Sequence, residues 1–332
     1  MAITFGINGF GRIGKLCLHL AINKNYNVKH INAPGKTLDD IIYALKYDTI
    51  FQKLATAKKH PEKNGVIVVF SNNKEYEIKI TTERKPEDIK WEINFLIESS
   101  GVFKTRSEIE KHNVEYVILT CPSKELNMYV YGVNHENLKK GEKIISNASC
   151  TTNCLAPIVK VLHDNFIIEE GLMSTIHSVT GTQSVVDKTN DKRISRSVLN
   201  NIIPSTTGAA LAVTKVIPSL KGKLTGMSYR VPVIDVSVVD LTVKFKKETS
   251  LEKIKKIIKE TADPKILGIT EDNVVSSDFI RDSRSSIFDF GASIELNNTF
   301  FKIVCWYDNE YGYSCRVMDL ISEVIKVNEL DL

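Results

Sequence analysis

The run Ser149-Cys150-Thr151-Thr152-Asn153-Cys154 ends a turn and opens a helix. Cys150 would then sit among amide donors at the positive end of a helix dipole, a setting that lowers a thiol pKa and favours the nucleophilic thiolate. Such a thiol needs a base. His177 lies in a strand-like stretch, residues 173–180. Spacing alone does not bring the two side chains together, and a lone histidine in a strand is more often structural than catalytic. The other histidines lack His-Glu-x-x-His or comparable spacing, so no metal site is expected. Cys17, Cys305 and Cys315 lie in apolar or strand-like contexts that suit inert buried thiols. Cys154, one helical turn after Cys150, reads as core or as a secondary redox contact.

A second cluster stands at the start of the chain. Gly9-Phe10-Gly11-Arg12-Ile13-Gly14 follows an apolar, β-prone run at 3–8 and precedes a helical pattern at 15–23. A Gly-x-Gly-x-x-Gly in that context permits a tight turn, close approach of backbone to a pyrophosphate and close helix packing. A dinucleotide is the implied ligand. Domains of this kind carry an acid about twenty residues on that holds the adenosine ribose hydroxyls. Here the position reads Asn32-Ala33-Pro34. Losing a charged acceptor costs about 1.5–3 kcal/mol of NAD affinity if nothing compensates, and it also removes the charge that would repel the 2'-phosphate of NADP.

Two kinds of scaffold would position these groups. Strand-like runs at 26–32, 65–70, 93–98, 116–120 and 143–146 alternate with helical or turn-rich segments at 37–46 and 107–112. That pattern predicts an α/β domain over residues 1–149, with a Rossmann-type, doubly wound, mostly parallel sheet. After Cys150 a helix to about 163 is followed by longer alternating strands at 173–180, 227–232, 235–244 and 300–307, with a helix at 251–262. These predict an α+β catalytic domain over 150–313 with a mainly antiparallel sheet. A last helix within 314–332 is expected to pack back on the first domain.

At 332 residues the chain suits two domains, and 42% hydrophobic with 25% charged residues is an ordinary globular composition. Lys plus Arg number 44 against 40 Asp plus Glu, without a long basic run, so nucleic acid is not indicated. The basic stretch 253–259 is interleaved with isoleucines at helical spacing and reads as the wet face of an amphipathic helix. The start of the chain has no leader-like segment, and no stretch approaches a membrane span. The six cysteines lack paired spacing, which fits thiols in a reducing compartment. A cytoplasmic protein is expected.

The glycine turn and the cysteine run together resemble the glyceraldehyde-3-phosphate dehydrogenase family, and the resemblance runs nearly end to end. It continues in Leu45-Lys46-Tyr47-Asp48, Gly132-Val133-Asn134-His135-Glu136, Ile202-Ile203-Pro204-Ser205-Thr206-Thr207-Gly208-Ala209-Ala210, Arg230-Val231-Pro232 and Trp306-Tyr307-Asp308-Asn309-Glu310-Tyr311-Gly312-Tyr313. The resemblance implies that Cys150 adds to the aldehyde, that His177 is its acid-base partner, and that phosphate cleaves the resulting thioester. It assigns Thr180 and Arg230 to the substrate's phosphate. Ser149, Thr151, Thr207 and Gly208 surround the attacking phosphate, with Arg193 a further contributor. For the cofactor, Gly9, Gly11, Arg12, Ile13 and Gly14 form the pyrophosphate turn. Arg84 and Thr120 lie on the adenosine and ribose side, and Asn309 meets the nicotinamide amide. A homotetramer is implied by the same resemblance.

The chain departs from the family at Ala33, where a ribose-binding Asp is usual, and in residues 187–196, a segment shorter than the loop that reaches a neighbouring subunit's cofactor. Both changes bear on NAD against NADP, a choice left open, with Lys36, Lys188 or Lys192 able to offer charge to a 2'-phosphate. Ser100, Cys121 and Leu211 are lesser departures. Two alternatives are an erythrose-4-phosphate dehydrogenase and a non-catalytic dinucleotide-binding regulatory protein.

Overall fold

The computed structural model describes residues 3–189 and 193–330. The chain forms two compact units. The first holds residues up to 129, 135–148 and 314 onward; the second holds Val130–Asn134 and Ser149–Tyr313. Among the described residues no helix is long and apolar enough to cross a membrane.

In the first unit the chain runs β1 (Thr4–Asn8), α1 (Arg12–Asn23), β2 (Asn27–Asn32), α2 (Leu38–Lys46), β3 (Thr56–Lys59), β4 (Val66–Ser71), β5 (Lys74–Thr81), β6 (Phe95–Glu98), α3 (Arg106–Glu110), β7 (Tyr116–Leu119) and β8 (Ile144–Ser146). The sheet order is β3-β4-β5-β2-β1-β6-β7-β8. From β5 to β8 every pair is parallel, the strand order of a doubly wound dinucleotide fold. Strands β3 and β4 extend it as an antiparallel edge. Strands β6 and β7, FLIE and YVIL, are buried at every residue, as strands covered on both faces must be. Thr37 caps α2 and Thr105 caps α3, each through a reciprocal capping box with the carboxylate three residues on.

The second unit begins with α4 (Cys150–Phe166) and continues through β9 (Ile168–His177), β10 (Ile203–Thr206), α5 (Ala209–Val216), β11 (Leu224–Arg230), β12 (Ser237–Phe245), α6 (Leu251–Thr261), β13 (Leu267–Thr270), β14 (Ser286–Asn297) and β15 (Phe300–Tyr307). Its sheet order is β10-β11-β9-β12-β15-β14-β13. Strands β11 and β9 pair in parallel, as do β13 and β14; the other pairs are antiparallel. Helix α7 (Tyr311–Val327) follows, and from Ser314 on it belongs to the first unit. There Tyr26 and Ser322 hydroxyls meet at 2.8 Å, and Val317, Leu320, Ile321 and Val324 are buried.

Strand periodicity decides which side chains share a face of the second sheet. In β15 Phe301, Ile303, Cys305 and Tyr307 are buried while their neighbours are less so. In β12 the buried set is Ser237, Val239, Leu241, Val243 and Phe245. Register pairs Ser237 with Tyr307, Val239 with Thr175, and Arg230 with His177. Thr175, His177, Ser237 and Tyr307 are therefore the polar end of a face that is otherwise apolar.

Candidate active site

Ser149 caps α4, its hydroxyl accepting the Thr152 amide at 3.1 Å, so Cys150 is the first residue of the helix. Its Sγ lies 3.5 Å from His177 Nε2. His177 stands at the end of β9, 3% exposed, with its ring edge against Tyr307. The Tyr307 hydroxyl meets the hydroxyls of Thr151 and Thr175, each at 2.9 Å, which ties the first turn of α4 to β9 and β15. No sequence signal marked Tyr307 or Thr175 for this work; both are legible only from the register of three strands.

His177 Nδ1 faces two groups: the Ser178 carbonyl at 2.8 Å and an Arg230 nitrogen at 2.6 Å. A protonated Nδ1 donates to the carbonyl, whereas an unprotonated one accepts from the guanidinium. The first state leaves Nε2 with a lone pair toward the thiol. Arg230 can bond the Ser178 carbonyl in either case, at 3.2 Å.

The electrostatics differ from the sequence expectation. Burial, the larger cause, and the Arg230 charge push His177 down to about 3, against the Ser178 hydrogen bond. Burial also pushes the Cys150 thiol up, outweighing the Arg230 charge and the Thr151 hydroxyl and amide. The helix terminus was expected to lower this thiol; desolvation is the stronger influence. Both shifts favour the uncharged forms, a thiol beside an imidazole. Cys154 is fully buried against Ser286, and burial raises its thiol far more, which makes it core.

The remaining site residues of the second unit divide by neighbourhood. Thr207 precedes α5, its hydroxyl accepting the Ala209 amide at 3.2 Å, and Gly208 is the exposed N-cap, with no side-chain cap on the helix. Thr180 is exposed and donates its amide and hydroxyl to Gln183 Oε1, both at 2.8 Å. Arg193 is exposed. Asn309 is 5% exposed, and its Oδ1 accepts the hydroxyls of Ser178 at 2.9 Å and Ser237 at 2.8 Å. Neither serine carried a signal in the sequence.

In the first unit the glycine turn fits a pyrophosphate. Gly9 has φ +88°, and a Cβ there would meet Ser100 backbone at 2.7 Å. A Cβ on Gly14 would lie 2.0 Å from the Gly9 carbonyl oxygen. Around Gly11, by contrast, nothing lies within 4 Å, and no side chain caps α1. Open space beside uncapped helix amides is a cradle for phosphate oxygens. Arg12 and Ile13 open α1, and Arg12 and Lys15 both pair with Asp48. Those hydrogen bonds, with the Phe51 and Ile50 amides, overcome burial and hold the Asp48 carboxyl well below its usual range. Asp48 leaves one net positive charge on this trio.

Asn32 does not replace the missing acid. Its amide is spent on Asn8, Glu83 and Thr81. Ala33 is 2% exposed, its N–H donating to Thr81 and its carbonyl accepting from Lys36. Lys36, Arg84 and Lys188 are exposed, and Lys192 lies outside the described residues. Thr120 donates its N–H and hydroxyl to the Glu98 carbonyl at 2.9 and 3.1 Å. No cluster able to hold a metal ion occurs among the described residues.

Comparison with known proteins bears on what this arrangement is. Residues 3–106 match the model of the glyceraldehyde 3-phosphate dehydrogenase NAD binding domain, and residues 149–309 match its C-terminal domain. The chain is 49% identical to glyceraldehyde-3-phosphate dehydrogenase 2 of Saccharomyces cerevisiae, over 98% of this chain and 99% of that one. It belongs to the glyceraldehyde-3-phosphate dehydrogenase family. The enzyme of that name from Ogataea parapolymorpha is 51% identical over 99% of this chain and all of its own length. Glyceraldehyde-3-phosphate dehydrogenase 2 of Caenorhabditis elegans is 49% identical over 97% of this chain. Membership of this family makes the first unit a nicotinamide dinucleotide-binding unit. The tetrose-phosphate and non-catalytic alternatives are not favoured by relatives matched so fully.

Proposed function

We propose that this chain is a phosphorylating aldehyde dehydrogenase, an oxidoreductase that converts glyceraldehyde 3-phosphate and inorganic phosphate to 1,3-bisphosphoglycerate in glycolysis or gluconeogenesis. The observation that carries this is the Cys150–His177 pair at 3.5 Å, with Arg230 on the same imidazole, in a chain half identical to enzymes named for that substrate.

In this reading His177 Nε2 takes the Cys150 proton as sulfur attacks the aldehyde carbon, returns it to the alkoxide to give the hemithioacetal hydroxyl, and takes it back when the hemithioacetal is oxidised to the thioester. A positioned base of this kind contributes about 100-fold to 10,000-fold. A bound nicotinamide dinucleotide supplies the hydride acceptor. Phosphate then attacks the thioester carbon and Cys150 leaves. Arg230, with Thr180, holds the substrate phosphate. A phosphate that draws the guanidinium away leaves His177 Nδ1 to donate to Ser178, which is the state with Nε2 free to accept. Ser149 and Thr151 have their hydroxyls engaged in the helix cap and with Tyr307, so backbone amides at the start of α4 are their best means of meeting the second anion, to which Thr207, Gly208 and Arg193 also contribute.

For the cofactor, Gly9, Gly11, Arg12, Ile13 and Gly14 take the pyrophosphate, Arg84 and Thr120 the adenosine side, and Asn309 the nicotinamide amide. Position 33 neither accepts a ribose hydroxyl nor repels a 2'-phosphate, and Lys36 is exposed nearby in the chain. The cofactor is NAD or NADP, a choice that Ala33 leaves open. A homotetramer in the cytoplasm completes the proposal, and exposed apolar side chains in the second unit suit subunit contacts: Leu172, Val186, Leu199, Ile202 and Leu211 are each more than 60% exposed.

Steady-state rates with glyceraldehyde 3-phosphate, with and without phosphate and with NAD and NADP titrated separately, test the assignment. Phosphate-dependent reduction of either cofactor is expected. Faster turnover of erythrose 4-phosphate, or activity indifferent to phosphate, would overturn it.

A further inference from the structure

Asn309 presents an amide whose two ends have nearly the same shape and opposite hydrogen-bonding character. Its neighbours decide which end points where. Ser178 is fully buried and Ser237 is 2% exposed. Ser237 Oγ accepts the Ser178 N–H at 3.1 Å, so its proton needs an acceptor, and Asn309 Oδ1 supplies one at 2.8 Å. The Ser178 hydroxyl donates to the same oxygen at 2.9 Å. Turning the amide over would set its NH₂ against two hydroxyls and strand both their protons in a buried place, an arrangement that proteins avoid. Nδ2 hydrogen-bonds to none of the described residues.

We propose that Ser178 and Ser237 are positioning residues for the cofactor: they lock the Asn309 amide so that its N–H donors meet the carbonyl oxygen of the nicotinamide carboxamide. The inference rests on the reading of Asn309 given above. A carboxamide that meets a donor must present its oxygen, so a locked Asn309 fixes how the ring is turned. Ser237 has a second role in the same arrangement. By holding the amide that follows His177, it anchors the acid-base strand and the carboxamide ligand to one hydroxyl.

Ser178→Ala, Ser237→Ala and the double variant would be titrated by calorimetry with NAD or NADP, whichever the wild type binds more tightly. A second titration would use the matching fragment without nicotinamide, ADP-ribose or its 2'-phosphate. Each single variant should weaken the whole cofactor about 3- to 10-fold and the double variant about 10- to 100-fold, with the fragment unchanged. The rate of Cys150 alkylation by iodoacetamide should stay at the wild-type value in Ser178→Ala, which keeps its backbone N–H on Ser237. Unchanged cofactor affinity in the double variant would overturn the proposal, as would an equal loss for cofactor and fragment, the mark of a purely structural role. A wild type that binds neither dinucleotide would instead overturn the cofactor reading, and this proposal with it.

Discussion

Cys150, His177 and Arg230 form a trio in which each charge state constrains the next. Arg230 holds the thiol lower and the imidazole lower than burial and hydrogen bonding alone would set them. Arg230→Leu removes that cation, so both groups should titrate at higher pH. The rate of iodoacetamide alkylation, followed from pH 5 to 10, should move its acid limb upward. A limb that stays in place would show that the guanidinium does not act on the thiol. His177→Asn should lower kcat by about 100-fold to 10,000-fold, while Cys150→Ser should abolish turnover; activity surviving the second change would remove the thioester from the mechanism.

The helix-opening turns carry the binding predictions at the level of elements. Gly14→Ala would force a Cβ to 2.0 Å from the Gly9 carbonyl oxygen. Backbone cannot yield there cheaply, so a loss of about 1–3 kcal/mol or more is expected in urea unfolding. Gly11→Ala meets nothing within 4 Å and should leave the stability of the free protein within about 0.5 kcal/mol of wild type. It should nevertheless weaken dinucleotide binding, because the added methyl occupies the space a pyrophosphate needs. Equal stability loss in the two variants would contradict this division. The elements themselves were unevenly legible. Strands β1, β2, β6, β7 and β15 and helices α2, α4 and α6 lie close to where apolar periodicity placed them. Strand β3 went unread because TAKK is a short polar edge strand. Strand β10 contains Pro204, which only an edge position tolerates. Strand β14 went unread as well, its pairing with β15 interrupted between Asp289 and Ile294 around Gly291.

For the molecule as a whole, buried neutral histidines set a limit in acid. His177 titrates at about 3 and His30 at about 4, the latter lowered first by burial and then by Lys79. Unfolding frees both to titrate near 6.5. Above that pH they are neutral in both states and contribute nothing; as pH falls below it, the unfolded chain takes up the protons first and the native state loses ground. His30 alone accounts for about 3 kcal/mol by pH 4. Replacing it in His30→Gln should flatten the loss of stability between pH 6.5 and 4 by roughly that amount, read as the difference in slope between the two proteins by urea unfolding. An unchanged slope would mean that His30 is protonated in the native state. In solution the proposed tetramer should give a light-scattering mass four times that of the chain, and a monomer would leave Leu172, Leu199 and Ile202 without their cover.

From residues alone came the two scaffolds, the glycine turn with its missing acid, and the cysteine at a helix start, since these depend on composition and periodicity over short spans. Proximity in space is another matter. Cys150 and His177 are 27 residues apart, and Asn309 lies 131 beyond Ser178. Only the register of β9, β11, β12 and β15 brings Thr175, His177, Arg230, Ser237 and Tyr307 together, because a shift of one residue in any of these strands would turn its side chain to the opposite face. The titration of Cys150 was likewise decided by the fold. A helix terminus is visible in the sequence, but the desolvation that outweighs it comes from the packing around it.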